Sequence, residues 1–140
     1  MRGYYGIGLQ HPKYSVNVGA TIRAAGVYDA SFVATTGERF GKTRTDTMKH
    51  YRHMPFYRVD DLKDIIPYNC VPVAIDIIEG ARSLIDYVHP ERAFYIFGAE
   101  DRTLDINWRR DTVYIPTKYC MNLAATVNVV LYDRLAKDSN

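Results

Sequence analysis

Apolar residues fall into short runs divided by glycine, proline or polar breaks, and the period of these runs changes along the chain. Residues 4–9 (YYGIGL) interleave aromatic and aliphatic side chains with glycine and predict a first strand. After a loop at 11–16, Asn17 stands ahead of VGATIRAAGVY. That spacing predicts a helix of about two to three turns, with Val18, Ile22, Ala25 and Val27 available to its buried side. Residues 31–35 (SFVAT) predict the next strand, and 60–66 a short helix opened by an aspartate and closed ahead of Pro67. Further on, 71–77 reads as a strand, 81–87 as a helix and 93–97 as a strand broken at Gly98. Trp108 lies in a connection to a strand at 113–115, which Pro116 stops because it has no N–H for a central ladder. The run 123–131 is apolar all round and predicts a buried helix, with Asn122 as its cap. Its valines also suit a strand; length favours the helix.

This alternation predicts one α/β domain over residues 1–140, a mostly parallel sheet with helices on both faces. Ligands in such folds bind beyond the carboxyl ends of the strands. Three ends qualify: Asp76, Gly98-Ala99-Glu100 and Ile115-Pro116. The helix start at Asn122 adds outward-pointing backbone N–H groups beside the last of them.

Composition narrows the picture only slightly. Apolar residues at 47% and charged residues at 24% are globular averages, and a net charge of +2 identifies no partner. Cys70 and Cys120 form no C-x-x-C, and there is no signal peptide or apolar run of membrane-spanning length. The expectation is a reduced, cytoplasmic protein with no membrane partner.

Two nucleotide motifs fail. Gly6-x-Gly8 has His11 where the dinucleotide fingerprint needs its third glycine, so the small residues are better read as room for a neighbouring segment. GERFGKT at 37–43 has Thr36 where a P-loop needs glycine. Between residues 39 and 58, Arg39, Lys42, Arg44, Lys49, Arg52 and Arg58 face the single acid Asp46, with Phe40, Tyr51, Phe56 and Tyr57 interleaved. Cations for phosphates and rings for unstacked bases are ingredients of RNA binding, and a solvated loop is the plainer alternative. Lys42, Arg44, Lys49 and Arg52 are the RNA-binding candidates. His50 and His53 lack further ligands at zinc spacing, so no metal is expected. Gly19 and Arg23 are four apart and share a helical face, which suits an arginine reaching a ligand across bare backbone.

Asn17-x-Gly19-x-x-x-Arg23, Phe97-Gly98-Ala99-Glu100 and Ile115-Pro116…Asn122-Leu123, in this order, resemble the three motifs of the SpoU-type (TrmH-like) RNA ribose methyltransferases of the SPOUT superfamily. The resemblance covers essentially the whole chain and corresponds to a minimal catalytic domain. It implies a C-terminal deep trefoil knot, a homodimer with the active site at or near the subunit interface, and S-adenosylmethionine held in the knot loops. By motif position the cofactor residues would be Asp76, Phe97, Gly98, Ala99, Ile115, Pro116, Met121 and Asn122. The implied reaction is methyl transfer to a ribose 2′-hydroxyl of tRNA or rRNA, with Asn17, Arg23, Glu100 and Asn122 as the catalytic set. Arg23 would hold a phosphate and stabilise developing alkoxide, and Glu100 would orient Arg23 or a substrate hydroxyl.

The chain departs from the family pattern at four places, one of them the loop from Pro116 to Asn122, which is shorter than usual. Asp101 follows Glu100 where a glycine is usual, and Cys120 and Ala124 stand where serines are common. The alternative functional reading is therefore a SPOUT-fold RNA-binding module that has lost turnover.

Overall fold

A computed structural model describes residues 3–41 and 53–138. In chain order the elements are β1 (Tyr4–Leu9), α1 (Ser15–Val27), β2 (Val33–Thr35), β3 (Phe56–Arg58), β4 (Val71–Ile75), β5 (Arg82–Ser83), β6 (Arg92–Phe97), β7 (Asp111–Tyr114) and α2 (Leu123–Asp138). Single 3-10 turns occupy Leu62–Ile65 and Leu84–Asp86. The strands form one sheet in the order β3-β2-β1-β6-β4-β7-β5, and every described pairing is parallel. Strands made late in the chain lie between earlier ones. β6 sits between β1 and β4, and β7 between β4 and β5.

Strand alternation sorts the core onto the two faces of the sheet. Tyr5, Ile7 and Leu9 of β1 and Tyr95 and Phe97 of β6 join Val18 and Ile22 of α1 and Val127, Val130 and Leu131 of α2 in one cluster. The opposite face packs Phe32, Phe94 and Ile96 with Leu62, Leu104 and Ile106. Among the described residues both α-helices therefore cover the same face. Among the described residues the other face is closed by a 3-10 turn and loops, where the sequence had predicted helices on both.

Other differences have local causes. The helix expected over 81–87 is a two-residue edge strand followed by a 3-10 turn, in which Ser83 Oγ accepts from Ile85 N. Seven residues tied to β7 at one end leave no length for an α-helix, and one tight turn suffices. The helix expected over 60–66 is likewise a 3-10 turn, capped by Asp61, whose Oδ1 accepts from Lys63 N at 2.9 Å. Val27, expected to be buried, is 63% exposed at the end of α1. No helix among the described residues is long and apolar enough to cross a membrane.

The glycines of β1 answer to close packing. A Cβ on Gly6 would lie 2.3 Å from the Phe32 ring, and one on Gly8 would lie 2.6 Å from the Phe94 ring. The two rings stack with centroids 5.8 Å apart and planes inclined by 16°. Gly6→Ala should therefore cost about 1–3 kcal/mol through overpacking. Denaturant midpoints would measure the loss, and Phe32→Leu in the same chain should return part of it.

The second half of α2 is fastened to the entrance of β6 by polar groups. Buried Arg134 donates to the carbonyls of Pro90 and Glu91 and to Tyr95 Oη, and lies over the Tyr5 ring at 4.8 Å. His89 sits 2.7 Å from Tyr95 Oη through Nδ1 and 2.7 Å from Asp133 Oδ2 through Nε2. A neutral ring with its proton on Nε2 satisfies every partner: Asp133 accepts, and Tyr95 donates to Nδ1 while accepting from Arg134. Burial holds the His89 pKa below its ordinary value even though Asp133 pulls it the other way. The unfolded chain takes up that proton near about pH 6.5 and the folded chain resists it. Stability is thus undiminished above that pH and is lost as pH falls through it toward the lowered folded value. His89→Gln should flatten the change in unfolding midpoint between about pH 7 and pH 5; an unaltered pH slope in the variant would assign the effect elsewhere.

Candidate active site

The carboxyl ends of β4, β6 and β7 stand side by side and open into one cavity of about 490 Å³. Its wall carries Ile75, Asp76 and Ile77 from the end of β4, and Phe97 through Glu100 from the end of β6. Tyr114, Ile115 and Thr117 follow β7, Cys120 through Leu123 lead into α2, and Thr126 lies one turn inside it. Tyr14 and Asn17 close the cavity from α1. Volume and a wall of mixed apolar and polar character are those of a small-molecule site.

Each helix meets this cavity with its N-terminus. α2 begins as expected: Asn122 Oδ1 accepts from Ala124 N at 2.8 Å and from Ala125 N at 3.2 Å. α1 begins two residues before Asn17, and its cap residue Tyr14 contributes no side-chain bond. A carboxylate from elsewhere takes that place. Glu100 Oε1 accepts from Lys13 N at 2.9 Å, and Oε2 accepts from Tyr14 N at 3.4 Å and from Asn17 Nδ2 at 2.7 Å. Asn17 Oδ1 in turn accepts from Asn122 Nδ2 at 2.9 Å. Glu100, Asn17 and Asn122 thus form a continuous chain of hydrogen bonds across both helix starts.

Burial pushes the Glu100 carboxyl up, but the bonds from Asn17 and from the backbone N–H groups of Lys13 and Tyr14 outweigh it and hold the pKa below its ordinary value. Glu100 is therefore an anion that already accepts three hydrogen bonds, suited to positioning rather than to proton transfer. The expectation that it orients Arg23 is corrected: its side-chain partner is Asn17. Next to it, Asp101 meets Arg39 in a two-pronged pair, both distances 2.9 Å, and Arg39 also donates to His11 O at 2.7 Å. The guanidinium holds Asp101 at a pKa of about 2. The residue that replaces the usual glycine thus ties the loop after β6 to the segment before Gly41.

Asp76 is occupied as well. Its Oδ1 accepts from Ile77 N and its Oδ2 from Leu104 N, both at 2.8 Å, which draws the loop after β6 over the end of β4. A Cβ on Gly98 would lie 3.1 Å from Leu104 and 3.3 Å from Arg102 O, so the absence of a side chain there lets the same loop pass.

Of the residues expected to hold a cofactor, Asp76, Phe97, Gly98, Ala99, Ile115, Met121 and Asn122 line the cavity, and Pro116 is exposed outside its wall. Asn17 and Glu100 of the expected catalytic set are there too. Arg23 is not: it is exposed six residues beyond Asn17, about 9 Å along α1, and its side chain bonds to none of the described residues. Gly19, expected to share its face, is buried. Lys42, Arg44, Lys49 and Arg52 lie outside the described residues. The flanking cations of that stretch have internal work, Arg39 with Asp101 and Arg58 over the Phe40 ring at 4.3 Å, with a bond to Gly41 O. No cluster of three or more His, Cys, Asp or Glu among the described residues could hold a metal ion. Sequence reading missed Tyr14, Tyr114 and Thr126. Thr126 had a signal: four residues after the cap, it returns its hydroxyl to Asn122 O.

Comparison with solved structures shows the same fold at low sequence identity. One structure, bearing on the 2-OH methylation of C/U34 on tRNA, superposes with a TM-score of 0.83 at 20% identity over 98% of this chain and 97% of that one. The SpoU methyltransferase AviRb from Streptomyces viridochromogenes, in complex with the cofactor AdoMet, gives 0.83 at 20% identity, covering all of this chain and 60% of AviRb. The A. aeolicus TrmH/SpoU tRNA modifying enzyme gives 0.83 at 12% identity over 96% of this chain and 75% of its own. Among curated proteins none matches. The SpoU rRNA Methylase family model matches residues 5–132, and the chain belongs to that family.

Proposed function

We propose that the protein transfers a methyl group from S-adenosylmethionine to a ribose 2′-hydroxyl of tRNA or rRNA. The observation that carries this reading is the cavity at three adjacent strand ends, closed by two helix N-termini that Glu100, Asn17 and Asn122 hold together. The cavity suits the cofactor in size and in its apolar wall of Ile75, Phe97, Ile115 and Leu123. S-adenosylmethionine is the cofactor expected of the family, and AdoMet is present in the AviRb structure. Gly98, Ile115 and Met121 would hold it, and when bound it supplies an electrophilic methyl.

The chain's own part is position and electrostatics. The anionic Glu100 fixes Asn17, and Asn17 fixes Asn122, so the entrance between α1 and α2 keeps its shape. Arg23 is assigned to the substrate: an exposed guanidinium without a described partner is available to a phosphate and to negative charge developing on the attacking oxygen. Its place outside the cavity accords with an active site shared between subunits. Val16 and Val27 of α1 and Val129, Tyr132 and Leu135 of α2 are exposed, and a second copy would cover them in a symmetric homodimer. A C-terminal knot is part of the same reading, supported by β6 and β7 lying between earlier strands. A cytoplasmic setting accords with the two free cysteines.

Calorimetric titration with S-adenosylmethionine tests the reading. Saturable binding is expected, and well-folded protein that binds none would leave the RNA-binding module without turnover. Arg23→Ala should nearly abolish single-turnover methyl transfer while leaving cofactor affinity and unfolding temperature close to those of the parent. Arg23→Lys should also be poor, because an ammonium lacks the planar fork. Wild-type turnover by Arg23→Ala would reduce the residue to a surface charge. For assembly, light scattering should give twice the mass of one chain at micromolar concentration; an active monomer would contradict the dimer.

A further inference from the structure

Both helices that close the cavity are preceded by the same short sequence. Lys13-Tyr14-x-x-Asn17 leads into the first turn of α1, and Lys118-Tyr119-x-x-Asn122 leads into α2. The two asparagines are hydrogen-bonded to one another at 2.9 Å, so each Lys-Tyr unit is tethered to one side of a single bond. Three residues of chain reach at most about 11 Å, which keeps each tyrosine near its asparagine. Tyr14 lines the cavity, and Thr117 and Cys120, on either side of Lys118 and Tyr119, line it too.

The tyrosines do little for the fold. Tyr14 is 49% and Tyr119 76% exposed, and neither hydroxyl bonds to a described residue. Tyr14 occupies a helix cap position without capping, where a small polar side chain would stabilise the helix. Tyr119 is carried on a loop that Thr117 tightens by donating to its carbonyl at 2.8 Å. Each ring has its lysine above it, Lys13 Nζ 5.3 Å and Lys118 Nζ 5.5 Å from the centroids, and neither lysine makes an ion pair with a described residue. Exposed rings, each with a lysine alongside that makes no ion pair with a described residue, match the needs of an unstacked nucleotide: a face for the base and charge for the flanking phosphates.

We propose that Tyr14 and Tyr119 form a stacking platform at the cavity mouth for an unpaired base of the RNA substrate, with Lys13 and Lys118 directed to its phosphates. The proposal rests on the methyl-transfer reading for the identity of the cavity, and it places the substrate nucleotide in a single-stranded or looped segment rather than in a duplex.

The test uses the full chain and a single-stranded oligoribonucleotide carrying one 2-aminopurine, whose fluorescence falls when the base stacks. Tyr14→Ala and Tyr119→Ala should each weaken binding at least about fivefold and lessen the quenching. Tyr14→Phe and Tyr119→Phe should keep both, because the ring stays. S-adenosylmethionine affinity should be the same in both Tyr119 variants, and a duplex of the same sequence should bind more weakly than the single strand. Unchanged binding and quenching in the alanine variants would overturn the proposal. So would equal losses in the phenylalanine variants, which would point to the hydroxyls. Loss of cofactor affinity in the Tyr119 variants would place that ring against the cofactor, and a change of mass in light scattering would place the rings in a subunit contact; either overturns it. Wild-type protein that binds no S-adenosylmethionine but shows the expected tyrosine effects would sink the methyl-transfer reading and leave the platform standing.

Discussion

The bond between Asn17 and Asn122 depends on a polarity that runs through the whole site. Glu100, held ionised, can only accept, so it faces the NH2 group of Asn17 and leaves the Asn17 oxygen pointing away. That oxygen accepts the NH2 group of Asn122, and the Asn122 oxygen is then left facing the first N–H groups of α2, which can only donate. An acceptor-only group stands at one end of the chain and donor-only groups at the other. Each amide in between has a single orientation that satisfies both neighbours. Residues 83 and 105 positions apart are thereby locked in register. An aspartate in place of either asparagine would set oxygen against oxygen and break the sequence of bonds.

This polarity explains why the loop after β6 is so heavily fastened. The carboxylate must be presented at the right height above α1. Asp76 pulls the loop from the β4 side through Leu104, Arg39 pulls it from the other side through Asp101, and Gly98 gives it room to turn. These are three independent constraints on one short segment. An exposed ion pair contributes little to stability on its own, but here it restricts where Glu100 can stand.

Much of this was legible because it follows from periodicity and from proline and glycine. The long strands, α1, α2 with its Asn122 cap, and the three strand ends that build the cavity could all be read from the chain. Strand order could not, since alternation of apolar residues marks a strand without naming its neighbours. The segment around Leu84 defeated reading because seven residues of mixed polarity fit a helix pattern as well as an edge strand with a turn. In the site, Glu100 was legible as a strand-end carboxylate, but of its two expected partners, Arg23 or a substrate hydroxyl, the first is replaced by Asn17. Helical spacing put Arg23 on a ligand-facing side, while Asn17, two turns earlier, was the residue within reach. Tyr14 escaped notice because an exposed aromatic at a helix start carries no periodic signal.

Placing β6 between β1 and β4, and β7 between β4 and β5, has a consequence for the birth of the protein. A chain emerging from its amino end can make β1, α1 and β2 early, yet these lack their β6 neighbour until residue 97 has appeared. The cavity needs still more, since its last wall begins after β7 and its far corner is Asn122. Long-range parallel pairing of this kind is intrinsically slow, and the incomplete sheet leaves strand edges open meanwhile. A chain halted before α2 therefore lacks Leu123 and Thr126 of the cavity wall and the N–H groups that fix Asn122. The cavity reaches its full shape only when the last helix of the chain is in place.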